Sequence, residues 1–327
     1  MRVLFIGGTG VISSACSKLA IERGIELYLL NRDKSFRPIP DGAHLLKADI
    51  RDKEAVRRVI DKMAFDSVVE WIAFTPDQIE ADLEIFKDRT QQYLFISSAS
   101  VYQTPPAKLP VTEETPLENP YWEYSRNKIA CEKRLRRAYQ EERFPITIVR
   151  PSHTYDCTLL PMHGGYTIVN RMRKEKKIIV HGDGSSLWVL THHRDFAKGL
   201  VGLLGNSNAI GEDFHITSDE LLTWNQIFGI LAEAAGAEAK IVHVPSEIIA
   251  RFDPQWGDSL LGDKMHSMIF DNSKIKRFVP DFKAEIPFEQ GAAEIMQWYD
   301  ADPNRQVIDN TVDLLIDEII RRFELVR

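Results

Sequence analysis

Tyr124 and Lys128 stand four residues apart in the run Tyr124-Ser125-Arg126-Asn127-Lys128. On a helix that spacing puts both side chains on one face. An ammonium held close to a phenol favours the phenolate and lowers a pKa that starts at about 10. A tyrosine tuned in this way can exchange a proton with a hydroxyl or a carbonyl. Ser98 follows the apolar run from Tyr93 to Ile96, at the carboxyl end of an expected strand. A hydroxyl at that edge can hold a reacting oxygen, because open α/β sheets bind ligands there. Ser98, Tyr124 and Lys128 are therefore the candidate catalytic set, suited to proton transfer at a secondary alcohol or ketone.

A second cluster could bind phosphate. Gly7-Gly8-Thr9-Gly10-Val11-Ile12-Ser13 lies between an apolar run and a helical pattern. Gly7 permits a tight turn, and Gly10 lets backbone N–H groups approach a pyrophosphate at a helix N-terminus. The spacing is G-x-x-G-x-x-S, so Ser13 stands where a third small residue would pack helix on strand. Next comes Asn31-Arg32-Asp33, at the end of the expected second strand, where the adenosine ribose of a dinucleotide is read. Asn31 does not repel a 2′-phosphate and Arg32 can pair with one, which favours NADP; Asp33 keeps NAD open.

These residues need a sheet to position them. Val3-Leu4-Phe5-Ile6 is a continuous apolar run, as in a parallel strand covered on both faces. Helical spacing runs from about Val11 to Arg23 and from Lys53 to Met63. Further strands are expected at Glu26–Leu30, Leu45–Leu46, Ser67–Ile72, Tyr93–Ser97 and Ile146–Val149. A long helix is expected from near Pro120 to Glu142. Strands alternating with helices imply a parallel sheet with right-handed crossovers. Beyond Arg150, residues 151–165 read as loop. Helices are expected at about 166–174, 194–204, 224–235, 288–299 and 308–323, and strands at 178–180 and 214–216. The basic run Arg171-Met172-Arg173-Lys174-Glu175-Lys176-Lys177 reads as a solvated helix end.

With these motifs in place, the chain resembles the extended short-chain dehydrogenase/reductases, in the NAD-dependent epimerase/dehydratase branch. The marks are Gly7-Gly8-Thr9-Gly10, Ala48-Asp49-Ile50, Ser97-Ser98-Ala99-Ser100-Val101-Tyr102, Asn119-Pro120-Tyr121 ahead of Tyr124 and Lys128, and Arg150-Pro151. The resemblance implies a Rossmann-type doubly wound parallel α/β sheet with a smaller C-terminal α/β substrate lobe. The division implied is a dinucleotide-binding domain over 1–156, with 189–218 packing back onto it, a substrate lobe over 157–188 and 219–300, and a C-terminal helix over 301–327. It implies Ser98, Tyr124 and Lys128 as the catalytic set, Asp49 as the adenine contact and Lys128 as a holder of the nicotinamide ribose. It also implies Gly7, Thr9, Gly10, Val11, Ile12, Asn31, Arg32, Ile50, Ile72, Ala73, Ser97 and Pro151, with Tyr124 and Lys128, as cofactor-binding residues. Dimers are frequent in the family. The activity implied is epimerisation or oxidoreduction of a carbohydrate-like substrate with NAD or NADP.

Four departures narrow that expectation. Ala99 and Ser100 occupy the places where sugar dehydratases carry an Asp-Glu pair, so dehydration is disfavoured. Gly182-Asp183-Gly184-Ser185-Ser186-Leu187-Trp188 puts Trp188 where sugar-nucleotide enzymes place a phosphate-clamping Arg, and an indole cannot make that contact. Arg171, Arg173 or Arg251 would have to replace it. The stretch from Ala73 to Gln92 is short and lacks the usual helix with its Asn-x-x-Gly-Thr signature; Gln78 and Asp82 are the nearby polar residues. His153 follows Arg150-Pro151-Ser152, where relatives place an Asn, and is read either as a partner of a substrate hydroxyl or as a structural histidine.

Bulk properties fit an ordinary soluble globular protein. The 327 residues are 27% charged and 44% apolar, with a formal charge of -7. That balance disfavours nucleic acid as a partner, although chloroplast stem-loop RNA-binding proteins share the G-G-T-x cradle; a non-catalytic NAD(P)- or RNA-binding protein on the same fold is the alternative. Three cysteines, Cys16, Cys131 and Cys157, form no metal-ligand spacing. His192-His193 precedes a helix without a third ligand and reads as a cap or core pair, so no metal is expected. With no signal-peptide pattern and no run of about 20 apolar residues, a cytoplasmic, membrane-free location is expected.

Overall fold

A computed structural model describes residues 1–325. In chain order the first half contains β1 (Arg2–Ile6), α1 (Val11–Glu22), β2 (Glu26–Asn31), β3 (His44–Lys47), α2 (Lys53–Val59), β4 (Ser67–Glu70), α3 (Pro76–Phe86), β5 (Tyr93–Ile96), α4 (Glu123–Glu142) and β6 (Ile146–Pro151). Then come β7 (His153–Tyr155), α5 (Tyr166–Arg173), β8 (Lys177–His181), β9 (Leu187–Trp188), β10 (Leu190–His192), α6 (His193–Leu203), β11 (Asp213–Ile216) and β12 (Leu222–Thr223). The chain continues through α7 (Trp224–Ala234), β13 (Lys240–Val244), α8 (Ser246–Phe252), α9 (Pro254–Ser259), α10 (Ser273–Phe278), α11 (Phe288–Asp300) and α12 (Asn310–Leu325).

Seven strands form one parallel sheet in the order β11-β6-β5-β4-β1-β2-β3. The order reverses at β1, which leaves a crevice at the carboxyl ends of β1 and β4. Alternate residues feed two cores: Val3 and Phe5 pack with Phe196 and Leu200 of α6, whereas Leu4 and Ile6 pack with Cys131 and Leu135 of α4. This two-sided burial explains why β1 is apolar throughout. A third core joins β8, α5, α7, α11 and α12 through Ile178, Ile168, Phe228, Ile295 and Ile316. It surrounds short parallel and antiparallel pairs outside the seven-stranded sheet, including β8 with β13 and β9 with β12.

Several expectations change. Residues 73–92 do contain a helix, α3, although the family signature is missing. Pro76 opens it, and Ile79, Leu83 and Phe86 fall on one buried face at helical spacing. The long helix starts at Glu123, after Pro120, because Asn119 Oδ1 accepts the N–H groups of Tyr121 and Trp122 and forms a turn there. His153–Tyr155 is a strand rather than loop and pairs with Leu190–His192. The basic run at the end of α5 is largely solvated, with Arg173, Lys174 and Lys177 exposed, but Arg171 is not. Arg171 is 1% exposed and pairs with Asp313 and Asp317 of α12, Arg173 pairs with Asp300, and Lys177 with Glu324. Among the described residues no helix is long and apolar enough to cross a membrane.

Candidate active site

The turn after β1 follows the expected logic with one change. Gly7 and Gly8 have φ of +111° and +92°, a region that favours glycine. A Cβ on Gly8 would lie 2.5 Å from Leu29 Cδ2, so the turn closes tightly over β2. Gly10 has an ordinary φ of -83°. Its N–H donates to the hydroxyl of Ser13 at 2.7 Å instead of facing outward. Ser13 is thus more than a small packing residue: from the third position of α1 its hydroxyl satisfies the N–H of the N-cap residue Gly10.

A groove runs from this turn along the carboxyl edge of the sheet. Gly7, Thr9, Asn31, Arg32, Asp49, Ile50 and Ile72 line its outer end. Gly10, Val11, Ile12, Ser97, Tyr124, Lys128 and Pro151 line its middle, together with Gly7, Thr9 and Ile72. The groove continues into a cleft of about 330 Å³ that holds Ser98, Tyr124, His153 and Trp188. Ile12, Tyr124 and Pro151 face both spaces. Every expected site residue except Ala73 therefore lines one continuous channel. Ala73 is buried beneath it and offers its carbonyl to Lys128.

Sequence reasoning missed some of the channel's cations and all of the cleft's charged pair. Lys34 and Arg51 share the outer end with Arg32. Arg32 is 63% exposed and only 3.7 Å from Asp49, a loose pair that leaves its guanidinium available. Arg51 donates to the Ile72 carbonyl at 2.7 Å. Their positions, directly after β2 and after Asp49-Ile50, were the available signal. Asp263, Lys264 and Trp122 line the cleft but carry no local motif.

The catalytic candidates are arranged differently from the simplest expectation. Lys128 is buried, and its Nζ donates to the carbonyls of Ala73 at 2.8 Å and Ile96 at 2.7 Å rather than to the phenol of Tyr124. Burial lowers this ammonium to about 8. The Tyr124 phenol is not lowered. Burial pushes it up, a hydrogen bond with Ser98 opposes that, and the charge of Asp263 adds to it. The one-face argument is correct, but the buried carbonyls of Ala73, three residues beyond β4, and of Ile96, at the end of β5, hold the ammonium. Ser98 also meets Ser100 at 2.9 Å, and Ser125 donates to Ser100 at 2.8 Å. Ser100 thus ties the strand end to α4.

His153 lies beside the cleft with its Nδ1 accepting from the indole of Trp188 at 3.0 Å. Burial, reinforced by the charge of Lys264, holds this imidazole down to about 3, so it is neutral. Gln78 and Asp82 do not line the channel. Gln78 accepts from the Phe74 N–H, and Asp82 accepts from the Tyr93 hydroxyl at 2.7 Å. Arg171, Arg173 and Arg251 also lie off the cleft, so none stands in for the missing clamp. His192 caps α6 by accepting from the Arg194 N–H, and His193 meets the Val11 carbonyl. Arg150 of the Arg-Pro mark is buried between Glu132 and Asp213, each at 2.7 Å, and serves the fold.

The residues of the groove fit a dinucleotide. The glycine turn leaves an open backbone beside it, and Ser97, 2% exposed, has a hydroxyl without a hydrogen-bond partner among the described residues.

Residues 3–217 match the model of the NAD dependent epimerase/dehydratase family. The chain belongs to that family. A chloroplast stem-loop binding protein of 41 kDa from Arabidopsis thaliana is 25% identical over 99% of this chain and 85% of its own length. The 2′-dehydrokanamycin reductase of Streptomyces kanamyceticus is 22% identical over 86% of this chain and 80% of its own. Among solved structures, UDP-glucose 4-epimerase from Bifidobacterium longum in complex with NAD+ and UDP superposes with a TM-score of 0.75. It is 20% identical over 93% of this chain and 100% of that one, a likeness of fold.

Proposed function

We propose that this chain is an NAD(P)-dependent epimerase or oxidoreductase acting on a secondary alcohol or ketone of a carbohydrate-like substrate. The observation that carries the reading is the shared wall of groove and cleft, where Tyr124 faces both spaces and Ser98 faces the cleft. In this reading residues 1–156 with 189–218 hold the cofactor, and the lobe of 157–188 and 219–300 reads the substrate. When bound, the nicotinamide supplies the acceptor and donor of hydride. Tyr124 transfers the proton at the reacting oxygen, and Ser98 orients that oxygen while hydrogen-bonding the phenol. Lys128 has three N–H donors, of which two are held by Ala73 and Ile96. The third is left for a ribose hydroxyl in the groove, so Lys128 acts first as a holder. Ala99 and Ser100 offer no acid–base pair at neutral pH, which argues against dehydration. Arg32, with Lys34 beside it, favours NADP over NAD.

The test is turnover with ketone and alcohol panels by wild type and Tyr124→Phe. Steady consumption of NADPH by wild type supports reductase; product inversion without net redox change supports epimerase. Unchanged activity in Tyr124→Phe contradicts the assignment.

The Arabidopsis relative, named for stem-loop binding, motivates a second reading as a nucleic-acid binder. Against it, Arg171, Arg173, Lys176 and Lys177 are taken up by carboxylates of the lobe and α12. A stem-loop RNA shift at low salt that weakens steeply with added salt would favour that reading.

A further inference from the structure

The cleft beside Tyr124 contains a charged pair that the proposed proton transfer does not use. Asp263 and Lys264 end a single π-helical turn, Leu260–Lys264, and such turns are frequent at functional sites. The Lys264 carbonyl is anchored from the lobe by Trp224 Nε1 and His181 Nε2, each at 3.0 Å. Both charged side chains line the cleft and lie 3.5 Å apart, 20% and 16% exposed for Lys264 and Asp263. The ammonium sits 5.2 Å from the ring centroid of Trp122 and 6.0 Å from that of Trp188. Lys264 is the one cation lining the cleft among the described residues, and Asp263 balances it.

A diphosphate brings negative charge that needs clustered, fork-shaped cations. Here the clamp position holds Trp188, His153 is neutral, and the Lys264 ammonium already faces a carboxylate. A diphosphate would therefore lie desolvated beside Asp263 without compensation, which is costly. A vicinal diol has the opposite requirement: one donor and one acceptor, with an apolar ring face to cover. Lys264 donates, Asp263 accepts, and indoles flank the pair.

We propose that the substrate is an uncharged, polyhydroxylated ring without a diphosphate, such as a free sugar, cyclitol or simple glycoside, and that Asp263 and Lys264 read its diol between Trp122 and Trp188. The proposal rests on the epimerase or oxidoreductase reading and names the substrate class for the same cleft.

The experiment titrates cofactor-saturated protein with UDP, UDP-glucose and a panel of neutral hexoses, cyclitols and methyl glycosides, followed by tryptophan fluorescence. Wild type is compared with Asp263→Asn and Lys264→Met. The expected result is saturable binding of at least one neutral ring, weakened roughly tenfold or more in both variants, with no saturable response to UDP. The proposal is overturned by UDP binding more tightly than every neutral ring, by no response to any neutral ring, or by a neutral-ring response unchanged in both variants. Cofactor affinity measured on the same samples keeps the two levels apart. Intact cofactor binding with a failed sugar response removes only this proposal and shows that the variants are folded. Lost cofactor binding in wild type removes the earlier reading.

Discussion

The indole Nε1 of Trp188 donates to Nδ1 of His153 at 3.0 Å. An indole N–H is a donor only, so Nδ1 must be the acceptor and the single imidazole proton sits on Nε2. The residue that replaces a clamping Arg therefore fixes the tautomer of its neighbour. It also makes His153 a neutral group at the wall of the cleft, where burial and then the Lys264 charge hold it to about 3.

His153 is accordingly expected to stay uncharged throughout the neutral range. Nitrogen-resolved histidine NMR across pH 5 to 8, about one and a half units either side of the free value, checks this. Its signals will report one neutral tautomer in wild type and a tautomer mixture in Trp188→Phe. Protonation of His153 in wild type near its ordinary value contradicts the arrangement.

The Tyr124 phenol responds to two neighbours in opposite senses. The Ser98 hydrogen bond lowers its pKa and the Asp263 charge raises it, against a larger upward push from burial. Ser98→Ala is expected to move the phenol limb of the pH–rate profile to higher pH and to cut turnover by about a hundredfold. Asp263→Asn moves that limb to lower pH. A limb that stays put in both variants would assign it to another group.

Beneath the groove, Glu70 of β4 and Asp82 of α3 form a buried acid pair. Glu70 Oε2 and Asp82 Oδ1 are buried without a hydrogen-bond partner among the described residues, and the Asp82 charge adds to the effect of burial on Glu70. Burial raises both, Asp82 to about 6. A carboxyl whose folded pKa is raised contributes stability at low pH that is lost as pH rises through the folded value. Urea unfolding of wild type from about pH 4 upward, the free carboxyl range where the loss begins, should show stability falling by up to about 1.4 kcal/mol per pH unit relative to Glu70→Gln. The glutamine amide donates to Asp82 without a titrating proton. Parallel pH profiles for the two proteins would contradict a raised Glu70 carboxyl.

Much of this molecule could be read locally. The glycine turn, the apolar parallel strands and the Tyr124–Lys128 spacing are set by residues close in sequence, and nearly all of the groove follows from them. α3 was misread when a missing signature outweighed the spacing of Ile79, Leu83 and Phe86. The carbonyls that hold Lys128 come from the end of β5 and the segment beyond β4, and the carboxylates that neutralise Arg171 come from α12. Neither contact leaves a local trace. Asp263 and Lys264 were unreadable for the same reason, because only the fold of the lobe brings their turn against Trp122 and Trp188.

The most direct test of the account is a fluorescence titration of purified wild type and Arg32→Ala with NADP+ and NAD+. The account predicts saturable binding, tighter for NADP+, with a loss of roughly tenfold in NADP+ affinity and little change for NAD+ in the variant. An NAD+ preference untouched by the substitution would contradict the 2′-phosphate assignment. Absence of binding for both dinucleotides would contradict the central claim that this groove holds a nicotinamide cofactor.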